Sequence, residues 1–302
     1  MKIDKVLFSC SEAFSPWWNI QSKIWKTKFG IEPVCLLFGS KSKCNLSEEY
    51  GKIVEMEYNP NLPNIIQIQF SKFYYPKNEP DTTWIIGDMD QIPLQTEYFL
   101  DGLESVSDDA YGNLNYTLTA QMRAGMRSNG FPGMASDAFL KLGGAVNGGY
   151  DLPGHYHVAK GKYFESLFFN KKSFEDVLRY VMESKRYGFY TEESQKTLNK
   201  EIHGGFWVAE ESYTSENIWY GLKKGIIKEF YGKEYHIWNQ KIDRVGRLTD
   251  SNGKWIPQWT GSDYLYDENR LKNKGYMDLH CHRPYHEQEK AMMKILQIAG
   301  MV

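Results

Sequence analysis

The first third of the chain alternates short, continuous apolar runs with segments of helical character. The apolar runs cover residues 6–10, 34–38 and 82–86, the helical patterns cover 17–29 and 65–75, and a strand-like alternation covers 52–57. Strands that are apolar throughout are typical of parallel sheets covered by helices on both faces. The sequence therefore predicts an α/β fold with a mostly parallel central sheet. In such sheets ligands bind beyond the carboxyl ends of the strands.

Length and composition suit one globular domain. The 302 residues are 41% hydrophobic and 25% charged, which excludes intrinsic disorder, and the net charge of -2 gives no reason to expect a nucleic-acid partner. No apolar stretch approaches the ~18 residues of a membrane span. We expect a cytoplasmic protein without an integral membrane segment. The apolar segment 292–302 suits packing against the core better than peripheral membrane contact, and no feature indicates an oligomeric state.

The apolar run at 82–86 leads through Gly87 into two aspartates, Asp88 and Asp90. On an extended backbone this spacing puts both side chains on one face. Two adjacent carboxylates repel each other unless a cation lies between them, and hard divalent ions prefer oxygen ligands. The pattern predicts a site for Mn²⁺ or Mg²⁺, which would neutralise the charge of a departing diphosphate. The alternative interpretation is a polar turn after a strand.

Residues 84–90, Trp-Ile-Ile-Gly-Asp-Met-Asp, resemble the DxD signature of nucleotide-sugar-dependent glycosyltransferases of the GT-A fold. The resemblance implies a Rossmann-like central sheet with a smaller mixed region on the acceptor side, built as one domain over 1–302. Residues 1–120 would bind the nucleotide sugar and 121–302 the acceptor. The implied reaction moves a sugar from a nucleotide-diphosphate sugar, with a UDP-sugar favoured, to a hydroxyl of a glycan acceptor.

The resemblance also assigns donor contacts. Ser9 and Cys10 follow the first strand, where this fold holds the nucleotide base. Lys72 lies on the helix before the DxD strand, where a basic residue contacts the diphosphate or sugar, although a solvated lysine is an equal alternative. Asp88 itself and Arg283 complete the expected donor-binding residues.

The segment 278–286 is rich in histidine and includes Cys281. No second ligand pair with zinc-finger spacing exists, so a structural zinc site is not expected. Many GT-A enzymes complete the metal shell with a C-terminal histidine that precedes a basic residue, proline and an aromatic residue. His280 and His282 both match that element. His280 is preferred, and both remain candidates because they share one face of an extended segment.

Acceptor-side candidates lie in the second half of the chain. Glu210 or Glu211 would deprotonate the acceptor hydroxyl in an inverting enzyme, although acidic residues also favour helix starts. Trp207 would line a sugar-binding floor. His155 and His157, on a predicted strand over 155–159, would contact donor or acceptor; helices are predicted over 173–187 and 216–230.

Three alternatives stay open. The His-x-His-Arg-Pro-Tyr ending resembles retaining lipopolysaccharide galactosyltransferases and glycogenin, although the inverting course is slightly favoured. A nucleotidyltransferase also uses paired aspartates, but it usually has a glycine-rich basic loop that residues 9–16 lack. A non-catalytic carbohydrate-binding protein would explain the 9 Trp, 21 Tyr and 16 Phe residues.

Overall fold

The computed structural model describes residues 1–116, 152, 154–184, 209–234, 243–246, 264, 266–281 and 284–302. The strands are β1 (Lys5–Ser11), β2 (Glu32–Phe38), β3 (Lys52–Met56), β4 (Thr83–Ile86), β5 (Gln91–Pro93), β6 (Ala110–Tyr116), β7 (His157–Lys160), β8 (Glu229–Glu234), β9 (Asp243–Val245) and β10 (Tyr276–His280). The helices are α1 (Trp18–Thr27), α2 (Asn64–Tyr74), α3 (Thr96–Leu100), α4 (Gly161–Phe164), α5 (Phe174–Ser184), α6 (Ala209–Lys223), α7 (Glu268–Lys272) and α8 (Tyr285–Ile298).

A seven-stranded sheet in the order β3-β2-β1-β4-β7-β6-β8 forms the centre of the fold. β1 pairs in parallel with β2 and β4, and β2 pairs in parallel with β3. β7 runs antiparallel to its neighbours β4 and β6, while β8 is parallel to β6. A smaller mixed sheet, β5-β10-β9, lies beside it. The α/β fold with a mostly parallel sheet and a smaller mixed region is therefore confirmed.

The apolar strands are buried on both faces, as their composition predicts. In β2, Cys35 and Leu37 pack into one core cluster with Trp18 and Trp25 of α1, whereas Val34 and Leu36 pack into a second cluster with Phe70 and Phe73 of α2. The C-terminal helix α8 contributes Met292, Ile295 and Leu296 to the first cluster. The expected packing of the C-terminal segment against the core is confirmed.

The helix expected over 216–230 is wrong in both bounds. The helix α6 runs from Ala209 to Lys223, so Glu210 and Glu211 occupy its first turn, where carboxylates are favoured by the helix dipole. Gly225 adopts a φ of 69° soon after its end, and the chain continues into β8. Phe230 belongs to that strand because Tyr111 of β6 supplies its parallel partner.

The strand expected over 155–159 begins two residues later, at His157. Tyr156 has a φ of 59°, a left-handed conformation that interrupts extended geometry. Within the described part of the chain, helices of the length and apolarity needed to span a bilayer are absent.

Candidate active site

The candidate site lies just beyond the carboxyl end of β4. Gly87 is the first residue after the strand and packs against the ring of Phe8, which would collide with a β-carbon at that position. The aspartates were expected on an extended segment, but the structure places them around a turn between β4 and β5. The turn is needed because residues 91–93 leave the central sheet and pair with β10 in the smaller sheet.

Asp88 forms a buried ion pair with Lys72 of α2. Lys72 Nζ lies 2.5 Å from Asp88 Oδ1, and the two side chains are 5% and 29% exposed. Burial alone would lower the pKa of Lys72, but the carboxylates of Asp88 and Glu210 raise it above its ordinary value. Burial would likewise raise the pKa of Asp88, yet Lys72 and then His155 hold it well below its usual range. Both groups are therefore charged at neutral pH, and Lys72 is not a solvated surface lysine.

His155 approaches the other oxygen of Asp88. Its Nδ1 atom lies 3.5 Å from Asp88 Oδ2, while its Nε2 atom lies 3.0 Å from Arg244 Nη2 and also contacts the amide of Asn115. Burial, followed by the positive charge of Arg244, lowers the pKa of His155 despite the opposing effect of Asp88. The imidazole is therefore neutral near pH 7.

His157 does not share these neighbours. Its ring is fully buried between Phe73 and Tyr111, at centroid distances of 5.2 Å and 5.7 Å. The two histidines have different surroundings because the left-handed Tyr156 between them breaks the alternation that a strand would impose. A strand over 155–159 would have placed both histidines on one face, which the structure does not do, and the position of His157 favours a packing role.

Asp90 lies beside His280 of β10. Their Oδ2 and Nε2 atoms are 3.6 Å apart, and the side chains are 14% and 20% exposed. The antiparallel register that sets His280 opposite Gln91 produces this proximity, and Cys281 N–H donates to the carbonyl of Asp90 at 2.6 Å. The structure thus brings together one carboxylate and the preferred histidine of the predicted metal site.

A complete metal site is not assembled by the described residues alone. Among them, no group of three or more His, Cys, Asp or Glu side chains is arranged to hold an ion. The pair formed by Asp90 and His280 suits a divalent ion in chemistry and spacing, since ligands bound to one ion lie roughly 3 Å apart when metal–ligand distances are about 2.1 Å. Asp88, the other predicted aspartate, pairs with Lys72 and lies beside His155.

The two candidate bases on α6 have different environments. Glu210 is 6% exposed, and its Oε2 atom accepts no hydrogen bond from any described residue. Burial raises its pKa to about 7, with Lys72 opposing and Asp88 reinforcing that rise. Glu211 Oε1 instead accepts the backbone N–H of Gly154 at 3.0 Å, which ties the start of α6 to the residues before β7.

The remaining predicted residues fall into two groups. Ser9 donates its hydroxyl to the carbonyl of Ile68 at 2.6 Å, and Cys10 is buried with its sulfur 3.7 Å from that of Cys35, so neither side chain is free to turn towards a nucleotide without losing that contact. The other predicted residues, Trp207, His282 and Arg283, lie outside the described residues.

The polar residues that surround His155 were not predicted from the sequence. Gln91 and Arg244 both contact it, and Asp278 binds Arg244 through two hydrogen bonds of 2.6 Å and 2.7 Å. A carboxylate inside the otherwise apolar run Tyr276–Leu279 was the available signal, because a buried charge needs a partner. Nothing in the sequence identified Arg244 as that partner.

Comparison with known proteins gives only distant structural likeness. No family model and no curated protein matches the sequence. Two solved structures of galactosyltransferase LgtC are similar over nearly the whole chain. One, in complex with donor and acceptor sugar analogues, has a TM-score of 0.44 and 14% identity, and covers 99% of this chain and 96% of its own. The other, an active-site mutant of LgtC, has a TM-score of 0.45 and 13% identity, and covers 98% of this chain and 95% of its own.

A third similar structure is the glycosyltransferase GlyE of Streptococcus pneumoniae TIGR4. Its TM-score is 0.31 with 10% identity, and the match covers 77% of this chain and 45% of that one. The three structures represent two proteins, LgtC and GlyE. Likeness this distant does not identify a reaction.

Proposed function

We propose that the protein is a metal-dependent glycosyltransferase that moves a sugar from a nucleotide-diphosphate sugar, with a UDP-sugar favoured, to a hydroxyl of a glycan acceptor. The observation that carries this proposal is the meeting of Asp90 and His280, 3.6 Å apart, at the carboxyl edge of a parallel sheet. These residues are remote from each other in the sequence. A carboxylate and an imidazole held together at a strand exit suit a divalent cation and its phosphate ligand.

Asp90 and His280 would hold Mn²⁺ or Mg²⁺, with Asp88 and His282 as further candidate ligands. When bound, the ion neutralises the negative charge that develops on the departing diphosphate. Lys72 supports the same task, because burial holds its ammonium group in a fixed place beside Asp88. A preoriented positive charge stabilises a leaving anion without reorganisation during the reaction.

Glu210 is the favoured proton acceptor. Its pKa of about 7 and its unpartnered Oε2 atom suit a group that takes a proton from the acceptor hydroxyl near neutral pH. Glu211 is already committed to the backbone of Gly154. We therefore assign the base to Glu210 and a structural contact to Glu211.

Sugar transfer can follow an inverting or a retaining stereochemical course. An inverting reaction uses Glu210 as general base on the face of the sugar opposite the diphosphate. The retaining alternative is favoured by one observation: Glu210 interacts electrostatically with both Lys72 and Asp88, the groups expected on the diphosphate side. The anomeric configuration of the product, read by proton NMR, separates the two courses.

The first test is a thermal-shift screen against UDP, GDP, CDP and TDP and their sugars, each with Mn²⁺ and with chelator. A ligand that binds only the native state raises the melting temperature. Stabilisation by one nucleotide family that disappears with chelator supports the proposal and identifies the donor class. Metal-independent stabilisation by sugars alone would point to a carbohydrate-binding protein.

A second assay addresses catalysis and the nucleotidyltransferase alternative. The stabilising nucleotide sugar is incubated with a panel of glycan acceptors, and release of nucleoside diphosphate is measured. Release of diphosphate with a glycosylated product supports sugar transfer. Pyrophosphate release from a nucleoside triphosphate and a sugar phosphate would instead identify a nucleotidyltransferase.

A further inference from the structure

Arg244 lies beneath the candidate active site, on the short strand β9 of the smaller sheet. Its side chain is 13% exposed and pairs with the fully buried Asp278 of β10. Arg244 Nε donates to Asp278 Oδ1 at 2.6 Å and Nη2 donates to Oδ2 at 2.7 Å, while Tyr156 donates its hydroxyl to Oδ2 at 3.0 Å. This bidentate geometry restrains the guanidinium in one orientation.

The guanidinium determines the proton position on His155. Arginine has only donors, so the Nε2 atom of His155, 3.0 Å from Arg244 Nη2, must accept and carry no proton. The side-chain amide of Asn115 also contacts this Nε2 atom, and the donor-only guanidinium is what assigns the tautomer. The remaining ring proton of the neutral imidazole then lies on Nδ1, which faces Asp88 Oδ2 at 3.5 Å.

The same guanidinium orients Gln91. Arg244 Nη2 has two hydrogens, of which one goes to Asp278. The other is shared between His155 Nε2 and Gln91 Oε1, the latter at 3.2 Å, which identifies the oxygen end of that amide. The nitrogen end consequently points to Asp88 Oδ2, at 3.4 Å. Reversing the amide would set two donors against each other at Arg244 and two acceptors against each other at Asp88.

We propose that Arg244 is a positioning residue. It holds His155 as the Nδ1–H tautomer and turns the amide nitrogen of Gln91 towards Asp88. His155 and Gln91 then both donate to Asp88 Oδ2, while Lys72 donates to Oδ1. Three donors thereby hold the first aspartate of the DxD segment in one rotamer. The catalytic consequence rests on the proposed function. The hydrogen-bond arrangement itself does not depend on that function.

The test is long-range proton–nitrogen NMR of ¹⁵N-histidine-labelled full-length protein at neutral pH. This measurement distinguishes the two neutral tautomers and the imidazolium form, and His155→Gln assigns the signal. The expected wild-type result is a protonated Nδ1 and an unprotonated Nε2. A wild-type His155 with its proton on Nε2, or on both nitrogens, would overturn the proposal.

The variant Arg244→Lys keeps a positive charge beside Asp278 but removes the planar guanidinium and its paired N–H donors. We expect the His155 signal to lose its single-tautomer pattern, whereas the matched control Arg270→Lys, a substitution on α7, leaves it unchanged. Gln91→Leu, which keeps Arg244 and its partner, is the second variant; it retains the tautomer and loses one donor to Asp88. An unaltered His155 signal in folded Arg244→Lys would contradict the assignment.

Kinetics then test the catalytic consequence. Loss of a supporting hydrogen-bond partner at a site of this kind typically costs 10–100-fold, so we expect Arg244→Lys to lower kcat by about that factor, with a change in KM below about threefold. A purely structural role would change the melting temperature and leave kcat of the folded fraction intact. If wild-type protein turns over no nucleotide sugar while the NMR result is as expected, the proposed function fails and the positioning role stands.

Discussion

The ammonium group of Lys72 lies 2.5 Å from Asp88 Oδ1, and this contact joins a helix and a strand exit into one charged unit. The lysine side chain is 5% exposed and the aspartate 29%, so water screens this contact only in part. The carboxylate of Glu210 acts on the same lysine. The charges of Lys72, Asp88 and Glu210 in the candidate site therefore affect one another.

Replacing Lys72 by methionine should destabilise the protein by roughly 3 kcal/mol, because removing one member of a buried ion pair leaves an uncompensated charge. Urea unfolding monitored by circular dichroism measures the change. The double variant Lys72→Met, Asp88→Asn should recover part of the loss. Lys41→Met, which removes an exposed pair with Glu48, is the control and should leave the unfolding midpoint unchanged. Equal effects of the two single lysine variants would contradict this account.

Replacing Asp90 by asparagine or His280 by glutamine should abolish the chelator-sensitive thermal shift produced by the nucleotide. Loss of metal-assisted charge stabilisation should lower turnover by more than about 100-fold. Two matched controls are Asp81→Asn and His286→Gln, which alter exposed side chains away from the pair. A metal-dependent shift that persists in Asp90→Asn would remove this aspartate from the metal site.

The raised pKa of Glu210 predicts a pH-dependent stability. Between pH 4.5, its ordinary value, and about 7, the folded protein holds a proton on Glu210 that the unfolded chain has released. Raising the pH through this window therefore lowers the free energy of unfolding, by roughly 3 kcal/mol for a shift of this size. Urea unfolding at about pH 5 and about pH 8 measures it. Glu210→Gln should remove the dependence, whereas the exposed Glu104→Gln should retain it.

Gly154 packs against the same carboxylate. A β-carbon at this position would lie 2.9 Å from Glu210 Oε1, so Gly154→Ala should displace that side chain and lower activity while changing stability by less than about 1 kcal/mol. The contrasting variant is Gly161→Ala, whose β-carbon would meet the backbone carbonyls of Pro76 and Glu79. Rigid backbone cannot move aside, so this second change should cost about 1–3 kcal/mol. Full activity in Gly154→Ala would argue against Glu210 as the base.

Features that depend on local pattern were predicted well. The strands at 6–10, 34–38 and 82–86 all exist, as do the helices between them. Each depends on a hydrophobic pattern and on turn residues that are close together in the sequence. The placement of Asp88 and Asp90 at a sheet edge followed from the same information. The helix expected over 216–230 ends at Lys223, because the chain turns at Gly225 and then enters β8, whose partner β6 is remote in sequence.

The composition of the site was decided by contacts between remote segments. The proximity of Asp90 and His280 comes from the register of β5 against β10, and the contact of Arg244 with Asp278 comes from the pairing of β9 with β10. Periodicity reports which face of an element is buried and carries no information about which distant strand will pair with it. Local residue pattern thus specified the sheet and the edge that carries the candidate site, whereas strand pairing selected the side chains that meet there.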